Sequence, residues 1–533
     1  MKLRPPAAAV AVAMVVSVCG QEAPAKKLRV QGQVVNLVTG EPVRKAEVKL
    51  TPAPARKGGY AVITDAQGRF VFADAAPGHY SLTASHTGFI DARYGARNSL
   101  QAGSVLNVSA IEPLNDLLVR IAPLGVIAGK VIDEEGEPIP RSAVEVFKET
   151  FVRGSKLLVP VGKEVSNDRG EYRIAGLAPG EYVAQAYPPD ANPAEGTPRQ
   201  ALTAVCFPAA LVRAQAERIS VGAGAVIGGI DIPLRRVPVM RVKGRLIDGE
   251  TGKPMIRATV ALTPKDSLTP RNPARTGNDG RFEVAAVAAG LYTVLLLGPL
   301  PEQISVVHSF EVAGRDIDNL EIKVTAPKPI SVAIAVDGDK KLGLKGIEVV
   351  LAPSGGMNFY GTASGRTLED GRFQLKNLSP VRYNIAVGRL PEDTWVKSIV
   401  VAGKEVLGQE IDWGAGVRGD IRITIAADAA SVSGLVANEN GPANGAMVVL
   451  LPADASRRHD IFDRIVPVDQ FGAFTIRGVA PMEYVVFAFE ELEVGAWQDP
   501  DLLSGVESYG QSLTVVEGGA LSLQLKAVPA RRE

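Results

Sequence analysis

The chain alternates between apolar and polar residues in short runs. Tyr80, Leu82 and Ala84 fall on one side of an extended chain, with Ser81, Thr83 and Ser85 on the other. Tyr292, Val294 and Leu296 repeat the pattern, as do Tyr383, Ile385 and Val387. Ala46-Glu47-Val48-Lys49-Leu50 and Ala143-Val144-Glu145-Val146-Phe147 alternate in the same way. A period of two predicts strands with one buried face. The nearest approach to a helical period is Ala209 to Ser220, which predicts one short helix.

The turns between these runs recur. Asp65-Ala66-Gln67-Gly68-Arg69-Phe70 returns as Asn167-Asp168-Arg169-Gly170-Glu171-Tyr172 and as Asn278-Asp279-Gly280-Arg281-Phe282. It returns again as Glu369-Asp370-Gly371-Arg372-Phe373 and as Asp469-Gln470-Phe471-Gly472-Ala473-Phe474. Each aromatic stands ten positions before a tyrosine (70/80, 172/182, 282/292, 373/383, 474/484), usually behind an Ala-Pro-Gly-like turn such as Ala76-Pro77-Gly78. Asp or Asn before Gly supplies the φ > 0 positions of tight turns. Upstream lie Gly32-Gln33-Val34, Gly129-Lys130-Val131, Gly244-Arg245-Leu246 and Gly434-Leu435-Val436, each followed by a second turn (Gly40-Glu41-Pro42, Gly136-Glu137-Pro138, Gly252-Lys253-Pro254, Gly441-Pro442). The fourth copy diverges: it lacks the opening glycine and carries Val381 in its second turn.

The copies lie roughly 100 residues apart, the size of a whole β-sandwich domain rather than a small solenoid unit. The expected fold is all-β: five tandem antiparallel β-sandwich modules of immunoglobulin-like type, at 28–122, 123–234, 238–325, 328–426 and 430–528. The repeated tyrosine at a strand start resembles the tyrosine corner of such sandwiches.

The combination of Gly-x-Val, Gly-x-Pro turn, alternating strand, Asp-x-x-Gly-x-Phe and Pro-Gly-x-Tyr resembles the carboxypeptidase regulatory-like domain, a transthyretin-like sandwich. That family is similar to collagen-adhesin B-type repeats and to starch-binding-like folds. Residues 28–90, 126–187, 240–297 and 432–489 carry the likeness, and 330–388 carries it in its second half. The resemblance implies appendage domains rather than a peptidase. The four histidines, His79, His86, His308 and His459, stand in no H-x-x-E or H-E-x-x-H frame, so no zinc peptidase site is expected.

The amino terminus adds an address. Lys2 and Arg4 precede an apolar run from Ala7 to Val18, which is short for a membrane span but suits the core of a signal peptide. Residues 1–20 are read as that peptide, with cleavage after Gly20. A second reading makes Cys19 a lipid acceptor, since Val16-Ser17-Val18-Cys19-Gly20 resembles a bacterial lipobox that departs from pattern at Val18. Nothing further along is long and apolar enough to span a membrane. The expected location is the bacterial periplasm, the outer-membrane surface or the exterior.

Charge excludes one class of partner. Lys plus Arg and Asp plus Glu are 58 each, so no net positive charge drives association with nucleic acid. With Cys19 removed or capped, Cys206 stands alone in Ala204-Val205-Cys206-Phe207-Pro208 and reads as a small buried hydrophobe. No nucleophile elbow, phosphate loop or dinucleotide fingerprint occurs, and neither cofactor nor metal is expected. Turn geometry accounts for Asp65, Asp168, Asp279, Asp370 and Asp469 without calcium.

The chemistry with most specificity left is aromatic. Sugars stack on exposed rings, and the three tryptophans, Trp395, Trp413 and Trp497, all fall in the last two modules. They are the candidate carbohydrate-binding residues, with Tyr187 and Tyr94 as lesser ones. The expectation is a non-enzymatic, monomeric, rod-like exported scaffold or adhesive protein that meets an envelope protein or a polysaccharide. The alternatives are a carbohydrate-binding protein and an accessory subunit of an envelope transport complex.

Overall fold

The computed structural model describes residues 28–530 apart from 54–57, 97–102, 110–113, 153–154, 190–199, 265–270, 298–304, 325–328, 355–361, 377, 380, 414–418 and 459–460. Cys19, the signal peptide and His459 therefore lie outside the described residues. Among the described residues the chain forms ten β-sheets of three to five strands. The sole α-helix there is Pro500–Ser504. At 209–220, where a helix is expected, the chain makes a 3-10 turn over Arg213–Gln215, tied into the neighbouring sheet by side chains, and then enters the strand Ile219–Val221.

The first segment shows the plan. Its strands are β1 (Leu28–Asn36), β2 (Glu47–Pro52), β3 (Tyr60–Ile63), β4 (Arg69–Ala75), β5 (Gly78–Ser85), β6 (Ala92–Arg93), β7 (Val105–Val108) and β8 (Leu114–Ile121). One sheet has the order β4-β1-β8, with β1 antiparallel to β4 and parallel to β8. The other runs β3-β2-β5-β6, with β7 also on β5. Between them Val30, Val34, Val48, Leu50, Leu82, Leu106 and Ile121 are fully buried. These are the residues that alternation places on one face.

β1 is central to its sheet, and the opening glycine explains how it packs. Gly32 stands opposite Phe70, and a Cβ there would lie 2.7 Å from the Phe70 ring and 2.1 Å from the Leu117 carbonyl. The same register recurs as Gly129↔Tyr172, Gly244↔Phe282 and Gly434↔Phe474. In each copy a backbone carbonyl presses on the glycine: Ile230 at 2.0 Å, Leu320 at 2.6 Å and Leu523 at 2.1 Å from its ideal Cβ. Glycine is required because a neighbouring backbone carbonyl, joined at Gly32, Gly244 and Gly434 by the aromatic ring, fills its side-chain volume. At the second copy the ring is tyrosine, and its hydroxyl donates to that same Ile230 carbonyl at 2.6 Å.

The fourth copy solves the problem from the other sheet. Val332 stands opposite Phe373, leaving no room there for the ring. The ring instead turns over Gly365 on Ala363–Arg366, where a Cβ would lie 2.3 Å from Phe373 Cε2. The glycine has moved, and the aromatic remains.

The turn before each aromatic is built from its own polar atoms. Asp65 Oδ1 accepts from the N–H groups of Gln67 and Arg69 at 2.9 and 2.8 Å, and Asp469 Oδ1 does the same for Phe471 and Ala473. Gly68 adopts φ +68° with its Cα facing the Val34 carbonyl. The residue before the turn is Thr64, Ser166, Thr276 or Thr367 in the first four copies. Its hydroxyl bridges one loop: Thr64 Oγ1 accepts from Ala46 N–H at 2.8 Å and donates to the Val43 carbonyl at 2.7 Å. Ser166 repeats this with Ser142 and Ile139, and Thr276 with Ala258 and Met255.

The tyrosines also serve the fold. The Tyr80 and Tyr292 hydroxyls donate to carbonyls four residues earlier, Ala76 and Ala288, both at 3.0 Å, and Tyr182 donates to Ala178. In the fourth copy Tyr383 instead accepts from the Ser379 N–H at 2.9 Å. This is a tyrosine corner at four places, each hydrogen bond adding about 1 kcal/mol net. Burial raises the Tyr182 and Tyr484 phenols to about 12 and pushes Tyr383 up as well.

The segments do not follow one another as a rod. Segment one is stapled to the start of segment two by Leu124 N–H to the Gly88 carbonyl at 2.9 Å, beside Ile90 N–H to the Ala122 carbonyl at 2.9 Å within segment one. Segment five then folds back. Phe151, at the end of Ala143–Val152 in segment two, packs with Leu492, Leu503 and Trp497 of segment five. Ile461, Phe462 and Ala480 of segment five join the core of segment four. Asn107 and Gln470, 363 residues apart, are hydrogen-bonded. The expected extended string is corrected to a chain that returns on itself, because segment five carries apolar and polar ledges that its neighbours cover.

Two predictions follow from this packing. Gly434→Ala will lower stability by about 1–3 kcal/mol in urea denaturation, the cost of overpacking a filled site, while Gly343→Ala, with open space around it, will stay within about 0.5 kcal/mol. Equal losses at both positions would contradict the account. In alkaline titration the buried phenols of Tyr182 and Tyr484 contribute stability that is full below their unfolded value near 10 and is lost as pH rises through about 12. Phenolate absorbance from these residues will therefore rise together with unfolding; early ionisation in the intact fold would contradict their burial.

Candidate functional site

The three tryptophans are held by three different pieces of structure. Trp395 lies on Thr394–Val401, a strand that the fourth segment adds to its sheet beside Ile421–Ala427. Its ring packs on the core of that segment, and its indole N–H is buried without a hydrogen-bond partner. Trp413 packs on the same core and meets Tyr383 edge-on, with ring centroids 6.4 Å apart. Trp497 sits in the 3-10 turn Ala496–Gln498, placed by Gly495 at φ +86°. Its ring fills the junction between segments two and five, again with a buried, unpartnered indole N–H. All three are half-buried.

The lesser aromatic candidates are also engaged. Tyr187 is buried; its hydroxyl donates to Gln185 Oε1 at 2.9 Å and accepts from Arg213 Nη2 at 2.8 Å. Arg213 is the buried cation that the sequence reading missed. It donates to Gln185 Oε1 at 2.7 Å and stacks over the Phe147 ring at 4.0 Å. Phe147 with Val183 and buried Cys206 completes this small second core beneath 200–218. A guanidinium with both polar partners and a ring is stable out of water. A flat arginine in a polar stretch gives no sequence signal of this role.

The histidines do not converge. His79 and His308 are exposed, and His86 lies edge-on to Phe89 at 5.4 Å. Among the described residues no group of three or more His, Cys, Asp or Glu side chains stands close enough to hold a metal. No helix there is long and apolar enough to cross a membrane.

One open groove of about 780 Å³ lies on the third segment, lined among others by Lys243, Arg245, Arg275, Arg281, Asp318 and Glu321. Its charges are of both signs and partly satisfied locally. Arg245 donates to the Asp279 carbonyl at 2.9 Å, and Arg281 pairs with Asp279 at 3.5 Å. Such a rim is a solvated surface rather than a focused charge site.

Among the described lysines, Lys148 is the one that its surroundings shift downward. It is half-buried, donates to the Pro179 carbonyl at 3.1 Å and lies over the Tyr182 ring. Desolvation lowers its pKa, partly offset by Glu493 of segment five. Arg464, nearly buried, is held by the carbonyls of Ile461, Asp463 and Gly478 at 2.7 to 3.0 Å. Both cations secure turns and the segment-five junction.

Residues 29–110 match the carboxypeptidase regulatory-like domain family. No curated protein matches the chain. Among solved structures, a streptococcal ancillary pilin is 12% identical, covering 56% of this chain and 99% of its own, with a TM-score of 0.19. The TIE protein of Bacillus anthracis is 12% identical over 76% of this chain and 75% of its own, with a TM-score of 0.17. The minor pilin of Streptococcus agalactiae is 14% identical over 39% of this chain and 97% of its own, with a TM-score of 0.23. At such TM-scores the overall arrangements are not shared, and the likeness carries no argument about function.

Tryptophan emission tests the placement of the three rings. The folded protein will emit to the blue of free indole and will not respond to a panel of polysaccharides. A saturable shift removed by Trp497→Ala or Trp395→Ala would contradict it.

Proposed function

We propose that the chain is an exported, non-enzymatic scaffold of five β-sandwich modules, spanning 28–122, 123–234, 238–325, 328–426 and 430–528, that presents surfaces to an envelope protein or polysaccharide. One observation carries the reading: the residues that repeat in every copy are consumed by the sandwich itself. The aromatics pack against glycines, the Asp and Asn side chains close their own turns, and the tyrosines pack in the core, four of them with the hydroxyl bound to backbone. A repeated catalytic or metal-binding unit keeps polar groups aimed at a shared cleft; here the repetition maintains a fold. The regulatory-like match over 29–110 supports an appendage role.

Export rests on Lys2, Arg4 and the apolar run to Val18, with Cys19 as the lipid acceptor of the second reading. The tryptophans remain the candidates of the carbohydrate reading, but their packing favours the scaffold.

Expression of the full chain in a Gram-negative host, followed by fractionation and mass spectrometry, tests the proposal. The predicted product is processed and found with the periplasm, envelope or medium. A new amino terminus at Gln21 marks secretion, whereas loss of membrane attachment in Cys19→Ser marks lipidation. An unprocessed protein that stays in the cytosol would overturn the assignment.

A further inference from the structure

We propose that modules one and five form a specific clasp that closes the chain on itself, and that Gly445 is its determinant. The contact joins residues 340 and more positions apart, so its closure is a tertiary choice rather than a consequence of chain proximity.

The clasp is built on an open sheet edge. One side of β7 pairs with β5, with Leu106 opposite Tyr80. The other side points Val105 and Asn107 outward. Asn107 N–H donates to Gln470 Oε1 at 2.9 Å, and Gln470 Nε2 donates to the Asn107 carbonyl at 3.0 Å. A side-chain amide thus satisfies one donor and one acceptor, as a neighbouring strand would. Val105 N–H donates to the Val468 carbonyl at 3.2 Å. An edge strand left bare is a template for pairing with other chains; here module five covers it.

Module five differs from its siblings at the two groups it offers. In modules one to four, the residue at one left-handed loop position donates its N–H to the carbonyl of the Thr or Ser before the turn: Lys45 to Thr64, Arg141 to Ser166, Arg257 to Thr276 and Gly346 to Thr367. The equivalents in module five are Gly445 and Val468. Gly445 N–H donates to Ser104 Oγ of module one at 2.7 Å, while the Val468 carbonyl receives Val105. The hydroxyl of the other copies is replaced by a valine. Asn444 adds a contact to Ser104 and donates to the Tyr94 hydroxyl at 3.3 Å.

Space then singles out Gly445. Its φ is +85°, in the region that Lys45, Arg141 and Arg257 occupy at +55° to +59°. The backbone at this loop therefore accepts a basic side chain in three siblings. In module five, however, a Cβ at Gly445 would lie 1.9 Å from the Gly95 carbonyl of module one. Any side chain is excluded by the docked partner. Module two braces the arrangement, with Phe151 packed beside Leu492 and Lys156 within 3.8 Å of Asp499.

The two faces are unlike, so the same contact made between copies would join them head to tail rather than as a closed pair. The clasp assigns it within one chain.

Amide hydrogen exchange and small-angle scattering on the mature full-length protein test this. In the wild type the Val105 and Asn107 amides will be protected, and the radius of gyration will not change with concentration. Gly445→Arg will accelerate exchange at both amides by about tenfold or more and enlarge the radius of gyration. Near-ultraviolet dichroism of module five will be retained, because Arg141 and Arg257 stand at the same loop position. Should Gly445→Arg unfold module five, Gln470→Ala decides: it removes only the amide bridge and will deprotect Asn107. Three results would overturn the clasp: unprotected amides in the wild type, protection and size unaffected by either variant, or a mass that grows with concentration and falls in Gly445→Arg.

Discussion

A ring and a side chain cannot share one volume, and the rest of this structure follows from where that conflict is resolved. β1 and its equivalents are flanked by a strand on each side, and the aromatic of the neighbouring strand must lie flat across them to seal the core. Gly32, Gly129, Gly244 and Gly434 make the room. The ring then fixes the register of the Asp-Gly turn, and the turn fixes the strand that ends in the tyrosine corner. Segment four obeys the same constraint with Gly365 on the opposite sheet, which is why it keeps Phe373 while losing the opening glycine.

Most of this was legible in the sequence because it is local and repeated. Phe70 and Tyr80, with their four counterparts, mark strands whose alternation predicts the buried face, and Asp65 and Gly68 predict the turn chemistry. The hydroxyls of Thr64, Ser166, Thr276 and Thr367 were equally visible and were missed, because a single Thr or Ser before a turn is common in any loop. The short helix read into 209–220 failed for a physical reason. Ala210, Ala216 and Ile219 pack on the sheets while Leu211 and Val212 stay exposed, and Arg213 is spent on Gln185, Tyr187 and Phe147 instead of on helix solvation.

The return of the chain was not legible at all from periodicity. Nothing in the alternation of β7 says what covers its outer edge. The signal lies in a difference between copies: a glycine where three siblings carry Lys or Arg, and Val468 where the others carry a hydroxyl. Such a contrast is read only after the loop geometry shows which positions are equivalent. The tryptophans teach the converse. Their confinement to the last two modules suggested a sugar platform, yet the structure packs Trp395 and Trp413 on one core and Trp497 at a junction.

Each segment is held by its own opening strand, wedged between an aromatic-bearing strand and a parallel partner. Native-state hydrogen exchange resolved along the whole chain tests it most directly. The slowest amides of every segment are expected in Leu28–Asn36, Gly125–Ile132, Arg235–Asp248, Ile330–Val336 and Ala430–Asn438. Protection concentrated in the outer sheets, with these five strands exchanging early, would contradict it.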